Sequence, residues 1–310
     1  MNRQNSTLSM MIFGRQKNNI LSVLFVMALV SCGGRTTHEE AATYAYTDDY
    51  EQTVQVPTTP KRIVSTSPAV TEIMFALGAQ DLLVGRTDFC VYPPEAGSIE
   101  SIGGISNLNV EKIVSLNPDL VISGSMIPRK SSLQLEKMGV PIVCVIEQQH
   151  FDGLYDNISK IGKLVGRTAA ADSLNRLIKG KLALLSDSLN NSRTQEAKKS
   201  IYYVVGFGPS GNFTAGGNSF INDILTMAGA HNIAEDITGW SYSMEALMKE
   251  DPDYVLLRRE DSATFCNTDP YNKLTAVKKG RVIGIESGTI DLQVPRNLDA
   301  VKAIRQRIEQ

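Results

Sequence analysis

The strongest constraint on the fold is that two stretches of sequence occur twice, once in each half of the chain and in the same order. The first stretch, residues 71–82, corresponds to residues 222–233, and each combines helically spaced apolar residues with a glycine, Gly78 or Gly229. Glycine ends helices well because it adopts the left-handed backbone conformation without steric cost. Both stretches are therefore predicted to be helices that pack one face against a core.

The second repeated stretch predicts a helix followed by a buried strand. Residues 109–122 correspond to residues 243–256: each begins with a helix-capping residue, has a glutamate two positions later, and continues through Pro-Asp into an apolar run. Glu111 and Glu245 would lie in the first helical turn, where a negative charge stabilises a helix by about 0.3–1 kcal/mol. That effect alone would explain either glutamate. Their recurrence at equivalent places predicts two similar lobes.

Short apolar runs alternate with helices in both halves, which is typical of parallel sheets flanked by helices. The predicted strands cover residues 62–65, 83–86, 120–123, 142–146, 201–205, 254–258 and 282–285. Between the halves, apolar residues recur at helical spacing without a proline, which predicts a long connecting helix and leaves an interruption of it open. The predicted fold class is α/β, with two similar lobes, mostly parallel sheets and one long helix joining them.

The N-terminal segment is typical of an export signal. Arg15 and Lys17 precede an apolar stretch at residues 20–30, which is too short to cross a hydrocarbon layer of about 30 Å. Residues 29–33 resemble a bacterial lipobox, in which a cysteine is lipidated and becomes the first residue of the mature chain. This resemblance implies lipidation of Cys32, and an ordinary cleavage site beside a chance cysteine is the alternative.

These observations divide the chain into five predicted segments. They are a lipoprotein signal peptide at 1–31, a flexible tether at 32–57, an N-terminal α/β lobe at 58–151, a connecting helix at 152–190 and a C-terminal α/β lobe at 191–310. The tether prediction rests on small and polar residues without an apolar period, and on the acidic cluster of Asp48, Asp49 and Glu51.

Composition argues against several kinds of partner and site. The chain has 31 Lys and Arg against 33 Asp and Glu, and a net charge of -2 gives no reason to expect a nucleic acid partner. With three histidines and no CxxC spacing, we expect neither a metal site nor a cofactor. Cys144 falls in a predicted strand, whereas Cys90 and Cys266 fall in predicted loops, and a disulfide between these two is left open.

Enzyme motifs are weak in this sequence. Residues 206–211 formally fit the dinucleotide fingerprint GxGxxG, but Pro209 and the glycine-rich residues that follow predict a continuing loop instead of the required helix. We find no GxSxG elbow and no catalytic-cysteine context. We therefore expect no enzymatic activity, and a two-lobed α/β enzyme is kept only as a remote alternative to a binding protein.

Several segments together resemble the class III substrate-binding proteins of bacterial ABC importers, which carry cobalamin, ferric siderophores or haem. These segments are residues 62–68, 71–73, 83–88, 92–94, 111–119 and 213–214. The resemblance extends from residue 60 to the C-terminus. It implies two α/β lobes bridged by one long helix, with the ligand held in a cleft between the lobes.

The resemblance also implies which residues contact the permease and the ligand. In that family each lobe presents a glutamate to arginines of the membrane permease, and by motif these would be Glu111 and Glu245. Ligand contacts are expected in loops at the carboxyl ends of strands. The candidates are Ser67, Asp88, Phe89, Tyr92, Phe207, Trp240 and Tyr242. Aromatic side chains among them would provide a large contact area for a planar macrocycle.

Cobalamin or a related corrinoid is the expected ligand, because residues 92–96 and 240–245 are most similar to the cobalamin-binding branch. The chain departs from that branch at residues 103–105, where the branch can carry a tryptophan. A ferric siderophore or haem is the alternative ligand. Basic side chains that would pair with the acidic groups of a siderophore are Arg129, Lys130, Arg258, Arg259 and Arg296. We expect an exported monomer, attached to the cell envelope on its periplasmic face through lipid at Cys32 alone.

Overall fold

The computed structural model describes residues 42–191 and 198–310. The predicted signal peptide and the predicted lipidation of Cys32 lie outside these residues. Within the described ranges, the fold class is confirmed: two parallel sheets of four strands each are flanked by helices. In the same ranges, no helix has the length and apolar character needed to cross a membrane.

The described chain begins with an antiparallel hairpin where the sequence predicted a flexible tether. Strand β1 (Thr43–Thr47) pairs with β2 (Thr53–Pro57). Tyr46 and Val56 are buried in the core, because alternate side chains of a strand point to the same face. The tether prediction is therefore wrong for residues 43–57.

Carboxylates in the hairpin turn attach it to the rest of the fold. Asp48 Oδ2 accepts a hydrogen bond from Cys144 N at 3.1 Å, and Asp49 Oδ2 accepts one from Ile146 N at 2.9 Å. Asp49 Oδ1 also pairs with Lys160 Nζ at 2.6 Å. The acidic cluster that indicated a solvated tether thus supplies acceptors for otherwise unpaired backbone N–H groups.

The N-terminal lobe contains a parallel sheet with three helices between its strands. The strands are β3 (Ile63–Ser65), β4 (Leu83–Arg86), β5 (Leu120–Ser123) and β6 (Ile142–Cys144), in the spatial order β4-β3-β5-β6. The helices are α1 (Pro68–Ala76), α2 (Val110–Ser115) and α3 (Arg129–Lys137). All four strands correspond to predicted strands, and α1 corresponds to the first predicted helix.

The connection between the lobes is a pair of helices, α4 (Gly153–Leu164) and α5 (Thr168–Asn191). The chain turns between them at Gly166, whose φ of 67° is the left-handed conformation that favours glycine. Asn175 Nδ2 donates a hydrogen bond to the Tyr155 carbonyl oxygen at 2.9 Å, so α5 folds back along α4. The connecting segment is thus helical, as predicted, and the interruption that the prediction left open divides it into α4 and the longer α5.

The C-terminal lobe repeats the architecture of the first. Its strands are β7 (Ser200–Tyr203), β8 (His231–Asn232), β9 (Tyr254–Arg258) and β10 (Val282–Ile285), in the order β10-β9-β7-β8. Its helices are α6 (Phe220–Met227), α7 (Met244–Glu250), α8 (Ser262–Asn267), α9 (Thr275–Lys278) and α10 (Asn297–Ile308). Short 3-10 helices in the two lobes cover Gln80–Leu82, Pro94–Ser98, Arg259–Asp261 and Tyr271–Lys273.

The strand order of the two sheets is the same when each is counted from the first strand of its lobe. In both, the spatial order is the second strand, the first, the third and the fourth. The repeated sequence stretches therefore occupy equivalent places: α1 corresponds to α6, and α2 corresponds to α7. Of these eight strands only β8 was not predicted, because two residues are too short to show a period.

One apolar cluster runs through both lobes and the helices between them. It includes Ile122 of β5, Ile158 of α4, Ile224 of α6 and Leu256 of β9, all with 0% exposure. Burial of such side chains contributes about 1.5–3 kcal/mol each. Because the cluster is continuous, we expect the lobes to unfold together.

The described cysteines are free thiols, so the disulfide that was left open between Cys90 and Cys266 is not formed. Cys90 is buried with its Sγ 3.2 Å from Thr87 Oγ1. Burial raises the pKa of the Cys90 thiol. Cys144 lies in β6 as predicted, with its Sγ 3.0 Å from Ser123 Oγ.

Candidate functional site

Large apolar side chains are exposed in loops on the carboxyl sides of strands in both lobes. Phe89 and Val91, in the loop after β4, are 60% and 71% exposed. Met126 after β5 is 69% exposed, and Trp240 in the segment between β8 and α7 is 49% exposed. Exposed large apolar side chains are candidates for contact with another molecule. Val91 and Met126 were not predicted, because neither belongs to an aromatic motif.

The two polar candidates of the N-terminal lobe make local contacts. Ser67 is buried at the start of α1, where its carbonyl oxygen accepts a hydrogen bond from Ser65 Oγ at 2.9 Å. Asp88 has an exposed side chain that accepts a hydrogen bond from Ser101 Oγ at 2.5 Å. Asp88 therefore presents a charge in the same loop as Phe89, whereas Ser67 contributes little surface.

Tyr92, in the same loop after β4, contacts an arginine from the other end of the sequence. The guanidinium carbon of Arg296 lies 3.7 Å from the centroid of the Tyr92 ring. This is a cation–π contact, which stabilises both side chains by about 0.5–2 kcal/mol. The sequence indicated Arg296 only as one of several basic residues, and the contact fixes its position against the loop.

Arg296 also forms a buried ion pair with Glu72 of α1. Its Nε donates to Glu72 Oε1 at 2.8 Å, and the two side chains are 10% and 5% exposed. Arg296 Nη1 donates to Thr289 Oγ1 at 2.9 Å and lies 3.8 Å from Glu286 Oε2. Burial raises the pKa of the Glu72 carboxyl, and the hydrogen bond and charge of Arg296 oppose that rise. Glu72 was not among the site residues predicted from the sequence.

A cavity of about 560 Å³ lies beside this ion pair. Its walls come from α1, the loop after β4 and the segment before α10, and include Glu72, Phe75, Gln80, Tyr92, Glu95 and Arg296. Of the predicted ligand contacts, Tyr92 lines this cavity. Its volume is within the range of ordinary ligand sites.

In the C-terminal lobe, Phe207 is packed against other aromatic side chains. Its ring lies 5.2 Å from that of Phe265 and 5.6 Å from that of Tyr271, in edge-to-face geometry. Such pairs stabilise a fold by about 0.5–1.5 kcal/mol beyond their burial. The ring of Phe207 is partly buried, so a limited part of it is free to contact a ligand.

Tyr242, like Phe207, packs against another aromatic ring. Its hydroxyl donates to the Ile233 carbonyl oxygen at 3.2 Å, and its ring lies 5.7 Å from that of Tyr202. Burial raises the pKa of the Tyr242 hydroxyl. Among the three aromatic candidates of this lobe, Trp240 is therefore the one with the most accessible ring.

A second set of polar contacts lies at the carboxyl ends of β7 and β9. Arg258 Nε donates to Asp291 Oδ2 at 3.0 Å, and the Tyr203 hydroxyl donates to Asp291 Oδ1. Burial raises the pKa of the Tyr203 hydroxyl, and the charge of Asp291 adds to the rise. Arg258 is thus neutralised by a neighbour. In contrast, the basic candidates Arg129, Lys130 and Arg259 are exposed and make no ion pair to any described residue.

The two permease-docking candidates begin equivalent helices. Asn109 Oδ1 accepts a hydrogen bond from Lys112 N at 2.8 Å at the start of α2, and Ser243 Oγ accepts one from Ala246 N at 3.0 Å at the start of α7. Both predicted helix caps are therefore confirmed. Glu111 and Glu245 follow these caps, are exposed, and make no hydrogen bond or ion pair to any described residue. Their docking role remains a prediction.

The loop that formally matches a dinucleotide fingerprint does not lead into a helix. Gly206 pairs with Phe213 in a short antiparallel bridge, and α6 begins only at Phe220. The predicted continuing loop is confirmed. A phosphate site of the dinucleotide type requires a helix that starts within the motif, so residues 206–211 lack the context for one.

The chain is similar in sequence to known binding proteins over most of its length. The family model for periplasmic binding proteins matches residues 63–289. The uncharacterized ABC transporter substrate-binding lipoprotein YvrC of Bacillus subtilis is 30% identical, with 92% of this chain and 94% of that protein covered. A cobalamin-binding protein of Halobacterium salinarum is also 30% identical, with 86% of this chain and 72% of that protein covered.

Comparison with solved structures supports the same fold. A periplasmic heme-binding protein from Pseudomonas aeruginosa superposes with a TM-score of 0.72 at 25% identity, covering 80% of this chain and 92% of that chain. The family match, the two relatives and this superposition bear out the resemblance on which the site predictions rest. The chain belongs to the periplasmic binding protein family.

Proposed function

We propose that this protein captures cobalamin or a related corrinoid and delivers it to the permease of an ABC importer. The exposed apolar side chains in the loops of both lobes, Phe89, Val91, Met126 and Trp240, carry the proposal. A corrin presents broad faces, and aromatic or flexible apolar side chains cover such faces with little loss of conformational entropy. The cavity beside Tyr92 would accept groups at the edge of the macrocycle.

The relatives support this ligand and the proposed location. The protein from Halobacterium salinarum is named for cobalamin binding, and the one from Bacillus subtilis is named a substrate-binding lipoprotein. With the support of this similarity, we propose that the protein is exported and acts in transport at the periplasmic face of the envelope, attached through lipid at Cys32. Periplasmic binding proteins are binding components, so we expect no enzymatic activity.

Permease docking is assigned to Glu111 and Glu245. Both carboxylates are exposed and lack partners among the residues described, and both begin the helix between the second and third strand of a lobe. One acid from each of two similar lobes suits a permease of two-fold symmetry. An exposed ion pair contributes about 0–1 kcal/mol, but loss of one partner of a desolvated interfacial pair costs about 2–5 kcal/mol.

Haem or a ferric siderophore is the second candidate ligand. The observation in its favour is that Arg129, Lys130 and Arg259 are exposed and form no ion pair with any described residue. Basic side chains bind the carboxylates of haem or of acidic siderophores through charge-assisted hydrogen bonds. The structural relative from Pseudomonas aeruginosa is named for heme binding.

Titration of the unlipidated protein, made as Cys32→Ser, distinguishes these ligands. Cyanocobalamin, haemin and a set of ferric siderophores are added in turn, and binding is followed by calorimetry and by fluorescence. Because the chain has one tryptophan, and Trp240 is half-exposed, fluorescence reports on that loop directly. We expect saturable binding of cyanocobalamin with a Kd below about 1 µM. Saturation by haemin or a siderophore alone would reject cobalamin.

A further inference from the structure

We infer that Glu72 makes the cavity selective for macrocycles whose peripheral groups are uncharged amides over those that carry carboxylates. The inference rests on the proposed function and concerns the chemistry at the edge of its ligand. The charges around the cavity differ from those expected for an anion site.

The basic side chain among the cavity-lining residues, Arg296, is already neutralised. Its Nε–Glu72 Oε1 contact is 2.8 Å, and both side chains are almost fully buried. Nη1 is bonded to Thr289, and the face of the guanidinium covers the Tyr92 ring. Because the opposite charges are so close and shielded from water, a ligand carboxylate gains little attraction from Arg296.

Two further acids make the region unfavourable for anions. Glu286 Oε2 lies 3.8 Å from Arg296 Nη1, and Glu95, which is exposed, lines the cavity. The guanidinium is therefore paired with two carboxylates, and a third carboxylate lines the same cavity. A carboxylate on the ligand would be repelled by this excess of negative charge, and like charges at an interface oppose binding strongly.

Amides face no such penalty. Gln80, Tyr92 and Glu95 line the cavity, and their side chains include both hydrogen-bond donors and acceptors. An amide group both donates and accepts hydrogen bonds. The cavity thus matches the propionamide and acetamide groups of a complete corrinoid better than the propionates of haem or the acids of many siderophores.

Matched ligands isolate this effect. The affinity for cyanocobalamin is compared with that for cyanocobalamin whose peripheral propionamides have been partly hydrolysed to carboxylates, which keeps the macrocycle unchanged. We expect wild-type protein to prefer the intact ligand. Glu72→Gln removes the buried partner of Arg296 and leaves only the exposed Glu286 beside it. The preference of this variant for the intact ligand should therefore fall by about tenfold, mainly through tighter binding of the carboxylate form.

Two more variants and a control complete the test. The double variant Glu72→Gln, Arg296→Gln removes both charges and should restore most of the wild-type preference. Glu286→Gln removes an exposed acid near the same guanidinium and should lower the preference for the intact ligand by about twofold. This variant tests the inference even if Glu72→Gln does not fold. Glu136→Gln, an exposed acid on α3, should leave the preference unchanged.

The outcomes separate the inference from the proposed function. Equal preferences in wild-type protein, Glu72→Gln and Glu286→Gln would overturn the selectivity role while leaving cobalamin capture intact. Wild-type protein that binds neither form of cyanocobalamin would overturn both. Circular dichroism and thermal unfolding of each variant show that a changed preference comes from folded protein.

Discussion

The two lobes have the same strand order but use their apolar side chains differently. In the N-terminal lobe, Phe89 and Met126 extend from loops into solvent, whereas in the C-terminal lobe Phe207 is packed against Phe265 and Tyr271. The shared strand order therefore places loops at the carboxyl edge of each sheet, but it does not determine whether the side chains of those loops are exposed or packed. The N-terminal lobe has apolar side chains that are accessible for contact. In the C-terminal lobe the aromatic side chains are packed against each other, and Trp240 is the one with an exposed ring.

The largest expected effect tests whether the lobes share one core. Leu120→Ala in β5 and Leu256→Ala in β9 remove fully buried side chains from corresponding strands, so each should lower the free energy of unfolding by about 2–5 kcal/mol. Chemical denaturation followed by circular dichroism measures this loss. Leu184→Ala, at a side chain 71% exposed on α5, is the control and should change it by less than about 0.5 kcal/mol.

A single cooperative transition is expected in both core variants because the apolar cluster is continuous. Two separate transitions, with each substitution affecting only one of them, would show that the lobes fold independently.

The equivalent glutamates of the two lobes are both expected to be required for uptake. Glu111→Ala and Glu245→Ala should each reduce uptake by at least about tenfold in cells that depend on this importer, because each leaves a permease arginine without its partner. Ligand affinity measured by calorimetry should not change. Glu250→Ala, an exposed acid at the other end of α7, is the matched control. Normal uptake by the Glu111→Ala, Glu245→Ala double variant would remove the docking role.

A third comparison separates the packed aromatic ring from the exposed one. Phe207→Ala should lower the free energy of unfolding by about 2 kcal/mol, since its ring packs against two others. Trp240→Ala should change unfolding by less than about 0.5 kcal/mol but weaken ligand binding by roughly tenfold. Thermal unfolding and ligand titration of both variants provide the measurements. The reverse pattern would show that the exposed ring serves the fold.

The smallest effect concerns the helix caps. Asn109→Ala and Ser243→Ala each remove one acceptor from the first turn of a short helix, so each should cost about 1 kcal/mol of unfolding free energy. Denaturant titration of the two variants side by side measures both costs. Similar losses of unfolding free energy would show that the two caps are energetically equivalent. A loss in only one variant would show that the lobes share their strand order but not the stability of their caps.

Most of the fold could be predicted because its signals are local and repeated. Helical spacing, terminating glycines and Pro-Asp pairs located α1, α2, α6 and α7, and continuous apolar runs located seven of the eight parallel strands. The hairpin was missed because the alternation over Tyr44, Tyr46, Val54 and Val56 is interrupted by an acidic turn. An acidic turn looks solvated unless its backbone partners are known.

The site was harder to predict because its main contact joins distant parts of the chain. Glu72 and Arg296 are separated by 224 positions, and no spacing rule connects residues so far apart. A weak signal existed, since Glu72 lies in the middle of a mostly apolar helix, beside Ile73 and Met74. A charged residue in such a place needs a partner, but only the three-dimensional arrangement identifies it.

The hairpin has a further consequence for the outer side of β6. Its turn engages Cys144 through both N–H and C=O, and it also accepts a hydrogen bond from the Ile146 N–H. These are the groups with which a foreign polypeptide would have to pair in order to extend the sheet. At this edge the molecule therefore resists being joined by another strand, which guards against aggregation when many copies are crowded together.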